Sequence, residues 1–202
     1  MRLADADLIP FEYNGQAEAI ERYARDLEKL LKEKQDEIAK NNLELKEGVF
    51  TATADPHKTF VPPPVKLAPP FMNFAPLKNG AEDIRKSAER YQLAFAKWEA
   101  SGAALPAPTA IALNEELIQI QRAFLNEKRL PERPWLKHQV YAPGAYTGYA
   151  AKPMAAVREY MDQEKWKEAD AQIPMAGQAL EKAAAAIGKA ADDLEKALGE
   201  GK

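Results

Sequence analysis

Few side chains in this sequence have the types and the spacing that enzymatic chemistry requires. The 202 residues include two histidines, His57 and His138, and no cysteine. The lack of cysteine excludes disulfides, thiolate catalysis and cysteine-based metal sites, and zinc and iron enzymes usually need several imidazoles. Adjacent acids such as Glu115-Glu116 point about 100° apart on a helix and do not form a carboxylate dyad. We therefore expect no catalytic residue and no bound cofactor in this chain.

The irregular segment around His138 contains the side chains best suited to contact a ligand. Tyr146 and Tyr149 follow His138 closely and flank Thr147-Gly148. Functional side chains concentrate on loops, and two tyrosyl hydroxyls can donate hydrogen bonds to a carboxylate or a carbonyl. The residues alone also allow purely structural roles instead of ligand contacts. His138 can be hydrogen-bonded within the fold, and the two tyrosines can pack beneath the loop.

Helices must position these side chains, because helical periodicity dominates the rest of the chain. Apolar residues recur at i, i+3, i+4 and i+7 in four long segments: 15–40, 80–101, 109–125 and 165–198. A short helix is predicted over 154–162, with Pro153 as a favourable first helical residue. No alternating run is long enough for a sheet, although Val140-Tyr141 suits a short extended piece. The pattern predicts an all-α fold, a bundle of four main helices in a single domain over residues 1–202.

A proline-rich insertion, residues 41–79, interrupts the predicted bundle. It contains seven prolines, which cannot occupy a helix interior or a central strand. Apolar residues such as Phe60, Val65 and Phe71 are too frequent for a solvated tether, so we expect a long loop that lies along a protein surface. The alternative is a stand-alone helical adaptor whose prolines bind an aromatic groove, with Pro62–Lys66 as the nearest match to such a ligand.

The last predicted helix carries the clearest repeat in the chain. Large residues recur every seven positions: Trp166, Ile173, Leu180, Ile187 and Leu194. Alanines fill the positions between them, and Gly177 is predicted to let a neighbouring element approach closely. Such a seam packs one helix on another, and it suits a dimer interface and an intramolecular core equally well.

Charge and hydropathy exclude two classes of partner. The chain has 28 Lys and Arg against 31 Asp and Glu, a net charge of -3, whereas phosphate binding needs a basic surplus. No apolar run reaches the ~20 residues of a membrane span, and the first residues, MRLADADLIPFEY, lack the apolar core of a signal peptide. We expect neither nucleic acid nor a membrane segment, and the compartment stays unknown.

Several stretches resemble one protein family. Residues 130–143, LPERPWLKHQVYAP, resemble a signature of the glutamate carboxypeptidase II (folate hydrolase) and transferrin receptor family, where it lies in the C-terminal dimerisation domain. Residues 2–11, RLADADLIPF, resemble the stretch that leads out of the family's peptidase domain. Phe124-Leu125 and 166–194 resemble the end of a helix and the last helix of that domain. The resemblance covers nearly the whole chain apart from residues 41–79.

The resemblance implies a helical domain that pairs two protomers, with residues 1–14 as a remnant of the link to a peptidase domain. That domain would hold two zinc ions, and this chain alone would not be an enzyme. Members of the family are mostly secreted, periplasmic or membrane-anchored.

The resemblance also implies a second role, in the substrate pocket. In the peptidase members, a Lys-Tyr pair after the YAP motif lies over the zinc site and holds the C-terminal carboxylate of the substrate. Tyr149 matches this tyrosine, whereas Gly148 stands where the lysine would be. Loss of that ammonium group removes a charge partner for a carboxylate, so a strict preference for C-terminal glutamate is not expected. With Tyr146 and His138, Tyr149 would close the substrate pocket of the missing peptidase domain.

Overall fold

Long helices dominate the structure, a computed structural model that describes residues 6–55, 57, 59–145 and 150–200. The helices are α1 (Asn14–Lys46), α2 (Val49–Ala52), α3 (Ala75–Ser101), α4 (Ala107–Ala123), α5 (Ala155–Asp162) and α6 (Trp166–Glu200). One small antiparallel sheet pairs β1 (Tyr141–Pro143) with β2 (Ala151–Pro153). The predicted all-α class is confirmed, and α1, α3, α4 and α6 correspond to the four predicted main helices.

The chain divides into two compact units. Unit 1 comprises Met1–Ala24 and Asn73–Lys202, and unit 2 comprises Arg25–Met72. Helix α1 begins in unit 1 and continues into unit 2, and α3 to α6 and the small sheet lie in unit 1.

The core of unit 1 forms where α6 packs against α3, α4 and α5. Two glycines permit a close approach between α3 and α6. A Cβ atom added at Gly80 would lie 2.5 Å from the Cβ of Leu180, and one added at Gly177 would lie 2.7 Å from the Cβ of Pro76. Such distances leave no room for a methyl group, so the close approach predicted at Gly177 is confirmed.

The heptad seam of α6 lies inside the core of unit 1. Four of its five side chains are fully buried within the protomer: Ile173, Leu180, Ile187 and Leu194. Trp166, at the start of α6, is half-buried. Those four buried residues therefore stabilise the protomer itself and are not available to a second copy.

Unit 2 contains most of the predicted insertion, residues 41–79. Both ends of that insertion are helical, so the prediction of a loop is wrong for residues 41–46 and 75–79. Helix α1 continues to Lys46 because no proline or glycine interrupts it before Gly48, which has a left-handed φ of 71°. Pro76 lies in the first turn of α3, where the missing N–H of proline is tolerated. Pro76 therefore belongs to the start of a helix, and it does not extend the loop as predicted.

Between α2 and α3 the chain forms a strap, residues 59–72, that lies along α1 as predicted for a surface loop. The Asn42 side chain donates to the carbonyl of Lys66 at 2.7 Å and accepts from its N–H at 3.1 Å. Gln35 donates to the carbonyl of Pro69 at 3.2 Å. Amide side chains of α1 thus form hydrogen bonds with backbone groups of the strap, which has no neighbouring strand among the described residues to pair with them.

The start of α5 differs from its prediction. Pro153 belongs to β2 and pairs with Tyr141, so it is not the first residue of the helix. Met154 follows with a left-handed φ of 48°, and its N–H donates to the carbonyl of Val140 at 2.8 Å. The pairing of β2 with β1 therefore moves the beginning of the helix to Ala155.

Candidate functional site

The loop between α4 and β1, residues 124–140, contains the predicted site residue His138. Nδ1 of His138 accepts hydrogen bonds from the backbone N–H groups of Val140 at 3.3 Å and Tyr141 at 3.0 Å. Its ring stacks on Phe124 with a centroid separation of 5.6 Å. Burial lowers the pKa of His138, so the imidazole is neutral at pH 7. Because Nδ1 accepts hydrogen bonds, the ring proton is on Nε2. The described contacts of His138 thus fix the backbone turn that leads into β1.

A buried ion pair holds the other side of this loop. The guanidinium of Arg133 donates to the carboxylate of Glu159 on α5 and to the carbonyl of Pro143. The second carboxylate oxygen of Glu159 accepts from the N–H of Ala145 at 2.6 Å. Arg133 and Glu159 expose only 6% and 8% of their surfaces. Together they fix the backbone from Pro143 to Ala145, and we call this pair the loop clamp.

The loop clamp was missed in the sequence because its members are 26 positions apart. A signal was present in α5, where Glu159 lies among the buried residues Ala155, Ala156 and Met161. A charged residue on the apolar face of a short helix is rarely buried without a partner. That pattern predicts a buried cation nearby, although it does not identify Arg133.

Tyr146, Gly148 and Tyr149 lie outside the described residues, so the roles predicted for the two tyrosines stay predictions. The described residues on either side of this segment are paired, because the N–H of Gly144 donates to the carbonyl of Ala150 at 3.2 Å. Of the three predicted ligand contacts, the structure therefore describes only His138.

A second tyrosine pair, which the sequence did not indicate, joins the start of α1 to β1. The hydroxyl groups of Tyr23 and Tyr141 are 3.1 Å apart and their rings meet edge to face at 5.7 Å. Burial and the hydrogen bond shared with Tyr23 raise the pKa of Tyr141 to about 12. Tyr141 is therefore protonated at neutral pH, and its hydrogen bond with Tyr23 links α1 to β1.

A cavity of about 390 Å³ lies beside the loop clamp, within the size range of small-ligand sites. Its lining residues include Trp135, Leu136 and the backbone segment from Pro143 to Ala145. Trp135 exposes 73% of its surface. A large exposed aromatic beside a fixed backbone segment is a feature of binding surfaces.

Neither a metal site nor a membrane span is found in the part of the chain that the structure describes. Over residues 6–55, 57, 59–145 and 150–200, no three histidine or acidic side chains are placed to hold one ion. No helix among the described residues is long and apolar enough to cross a bilayer.

Two comparisons with known proteins agree with this architecture. A family model described as the transferrin receptor-like dimerisation domain matches residues 72–188, which include α3 to α5, the sheet and most of α6. The probable glutamate carboxypeptidase LAMP1 of Arabidopsis thaliana is 27% identical over 165 residues, which is 82% of this chain and 18% of that protein. The chain therefore spans less than a fifth of the length of this curated relative.

Proposed function

Since the chain belongs to the transferrin receptor-like dimerisation domain family, we propose that it pairs with a second copy of itself and so joins two copies of a longer, peptidase-type protein. The observation that carries the proposal is the family match, which covers more than half of the chain and includes α3, α4, α5 and most of α6. The core supports it too, because the buried α6 seam makes unit 1 a packed scaffold with outer helix faces available for a partner.

The test of self-association is the native mass of the purified chain over a wide range of concentrations. We expect light scattering to give twice the protomer mass of 22.4 kDa at high concentration. A mass of one protomer at every concentration would contradict self-association by this chain and would mean that pairing needs the rest of the longer protein.

The proposal includes a second role, in which the loop carrying Tyr146 and Tyr149 closes the substrate pocket of the peptidase domain. The loop clamp supports it, because Pro143 to Ala145, which precede Tyr146, are held by a buried ion pair. His138 would act by positioning, since its Nδ1 is occupied by backbone N–H groups. The peptidase chemistry, with any zinc it uses, would lie in the rest of the longer protein, so the chain alone is expected not to hydrolyse peptides.

One observation favours the alternative of a proline-presenting adaptor. The strap, residues 59–72, exposes Val61, Val65, Leu67 and Phe71, each by more than 70% of its surface. A synthetic peptide of the strap tested against SH3 and WW domains would separate the two functions. Binding that is also seen with the intact chain would support the adaptor, and absence of binding would leave self-association as the function of the domain.

A further inference from the structure

Helix α4 leaves a stripe of apolar side chains exposed on unit 1. Ile111, Ile118 and Leu125 expose 60%, 47% and 37% of their surfaces. Ile111 and Ile118 are seven residues apart and lie along one line of α4, whereas Leu125 follows the end of the helix and forms an antiparallel bridge with His138. On the opposite face, Leu117 and Ile120 are buried. We call Ile111 and Ile118 the α4 stripe.

Little else on the helices of unit 1 resembles this surface. Among the described residues, Leu93 on α3 is the one other large aliphatic side chain exposed on a helix of unit 1. The buried α6 seam, as shown above, is already covered inside the protomer. Among the described helices of unit 1, α4 therefore offers the largest set of exposed aliphatic side chains to an apolar partner.

The charges beside the stripe indicate what that partner is. Glu115 precedes Ile118 by three positions and Arg122 follows it by four, which places both on the same edge of the stripe. If a second α4 helix lies antiparallel, related by a two-fold axis at the level of Ile118, each Glu115 faces Arg122 of the partner subunit. The exchange occurs twice, once for each copy. A parallel pair would put these two edges on opposite sides and lose both contacts.

We infer that a second copy of this chain docks on the α4 stripe, with the two α4 helices antiparallel. Ile118 then lies against Ile118 of the partner subunit at the axis, and Ile111 faces the C-terminal end of the second α4 helix. The inference rests on the proposed self-association and adds the surface and the direction of pairing. The apolar stripe contributes the burial, and the paired charges select the antiparallel register over the parallel one.

The size of α4 sets the expected strength. Its 17 residues extend about 25 Å, so one pair of such helices buries less than the roughly 1,600 Å² of a standard interface. We therefore expect a dimer that dissociates on dilution. The central position of Ile118 makes it the residue whose loss matters most, because binding energy concentrates at the desolvated centre of an interface.

The test compares matched variants of the whole chain by light scattering and sedimentation. Ile118→Glu should raise the dimer dissociation constant at least about tenfold, whereas Leu93→Glu, at an even more exposed apolar site on α3, should leave it unchanged. Glu115→Arg should weaken the dimer, and the double variant Glu115→Arg/Arg122→Glu should restore it. Circular dichroism checks that each variant is folded.

Covalent trapping tests the axis directly, because the chain contains no cysteine. Ile118→Cys introduces a single thiol, and mild oxidation should give a disulfide-linked dimer if the two Cβ atoms can approach to about 4 Å. Leu93→Cys is the control and should remain a monomer on a denaturing gel. The trapped dimer should form faster as protein concentration rises toward the dissociation constant of the wild-type chain.

The outcomes separate this inference from the proposed function. A wild-type dimer that Ile118→Glu dissociates and the double charge reversal restores supports the α4 pairing. A wild-type dimer that Ile118→Glu leaves intact, with no trapping at position 118, overturns the pairing and leaves self-association standing. A wild-type monomer at all concentrations overturns both.

Discussion

Replacing Glu159 with glutamine should destabilise the folded protein far more than the loss of a surface charge would. Arg133 and Glu159 are almost completely buried, so water does not screen the charge that remains. Glutamine keeps an acceptor for the N–H of Ala145 but leaves the Arg133 cation without a counter-charge. Breaking a buried ion pair in this way typically costs about 3–5 kcal/mol, and we expect a loss in that range.

A double-mutant cycle shows whether the loss comes from charge. Arg133→Met alone leaves the Glu159 carboxylate buried and unpaired, and should cost about as much as Glu159→Gln. The double variant removes both charges and retains much of the packing. It should lose only about 1–2 kcal/mol, from the unpaired carbonyl of Pro143 and the imperfect fit of the new side chains.

The assay is urea unfolding followed by circular dichroism, together with exchange of the Ala145 amide hydrogen by NMR. Because the chain forms two compact units, the variants are compared only where their m-values agree. Glu127→Gln is the control, because it breaks an ion pair with Lys137 on the same loop. The Glu127 side chain is 83% exposed, so this variant should change the free energy of unfolding by less than about 1 kcal/mol. A loss this small for Glu159→Gln, or a double variant that loses the sum of the single losses, would refute the loop clamp.

Three further changes test other parts of the structure. The free energy of unfolding should fall as pH drops below about 6.5, because burial lowers the pKa of His138 and the unfolded chain then binds the extra proton. In urea titrations at pH 5 and 7, His138→Gln should make this fall smaller. An equal effect of His57→Gln, at an exposed histidine, would contradict the assignment to His138. Gly80→Ala places a Cβ 2.5 Å from a leucine Cβ of α6 and should reduce the free energy of unfolding by about 1–3 kcal/mol, whereas Gly199→Ala, with nothing within 4 Å, should not destabilise the protein in thermal melts. In the longer protein, Tyr149→Phe should weaken substrate binding by about 0.5–1.5 kcal/mol, and unchanged affinity and rate would remove this tyrosine from the pocket.

Periodicity predicted the main helices because each one packs a continuous apolar face. Helix α3 buries Ile84, Ala88 and Tyr91 along one line, and this spacing is visible in the sequence before any partner is known. The same reasoning failed at Pro76, because the effect of a proline depends on whether it falls in the first turn or in the interior. It also missed β2, whose three residues are too few to show an alternating pattern.

The candidate site was harder to predict than the helices, for a physical reason. His138 stands out because histidine is rare in this chain, but the partners of its Nδ1 are backbone groups, which every sequence supplies and none specifies. Arg133 and Glu159 meet only after α5 packs beside the loop, and 26 residues separate them. Pairing at that separation follows from tertiary structure, so local pattern indicates that a charge is buried without indicating what neutralises it.

The two seven-residue repeats of this chain show what decides between a core and an interface. Burial of an apolar side chain stabilises the state in which its surface leaves water, at about 25 cal/mol per Å². Leu180 and Ile187 have already lost their exposure within the protomer, so a second copy gains nothing from them. Ile118 keeps 47% of its surface exposed, and a partner can still cover it. Substitutions in the α6 seam should therefore lower the melting temperature of the monomer at every concentration, whereas substitutions in the α4 stripe should leave the melting of the dilute monomer unchanged and shift only the equilibrium between one copy and two.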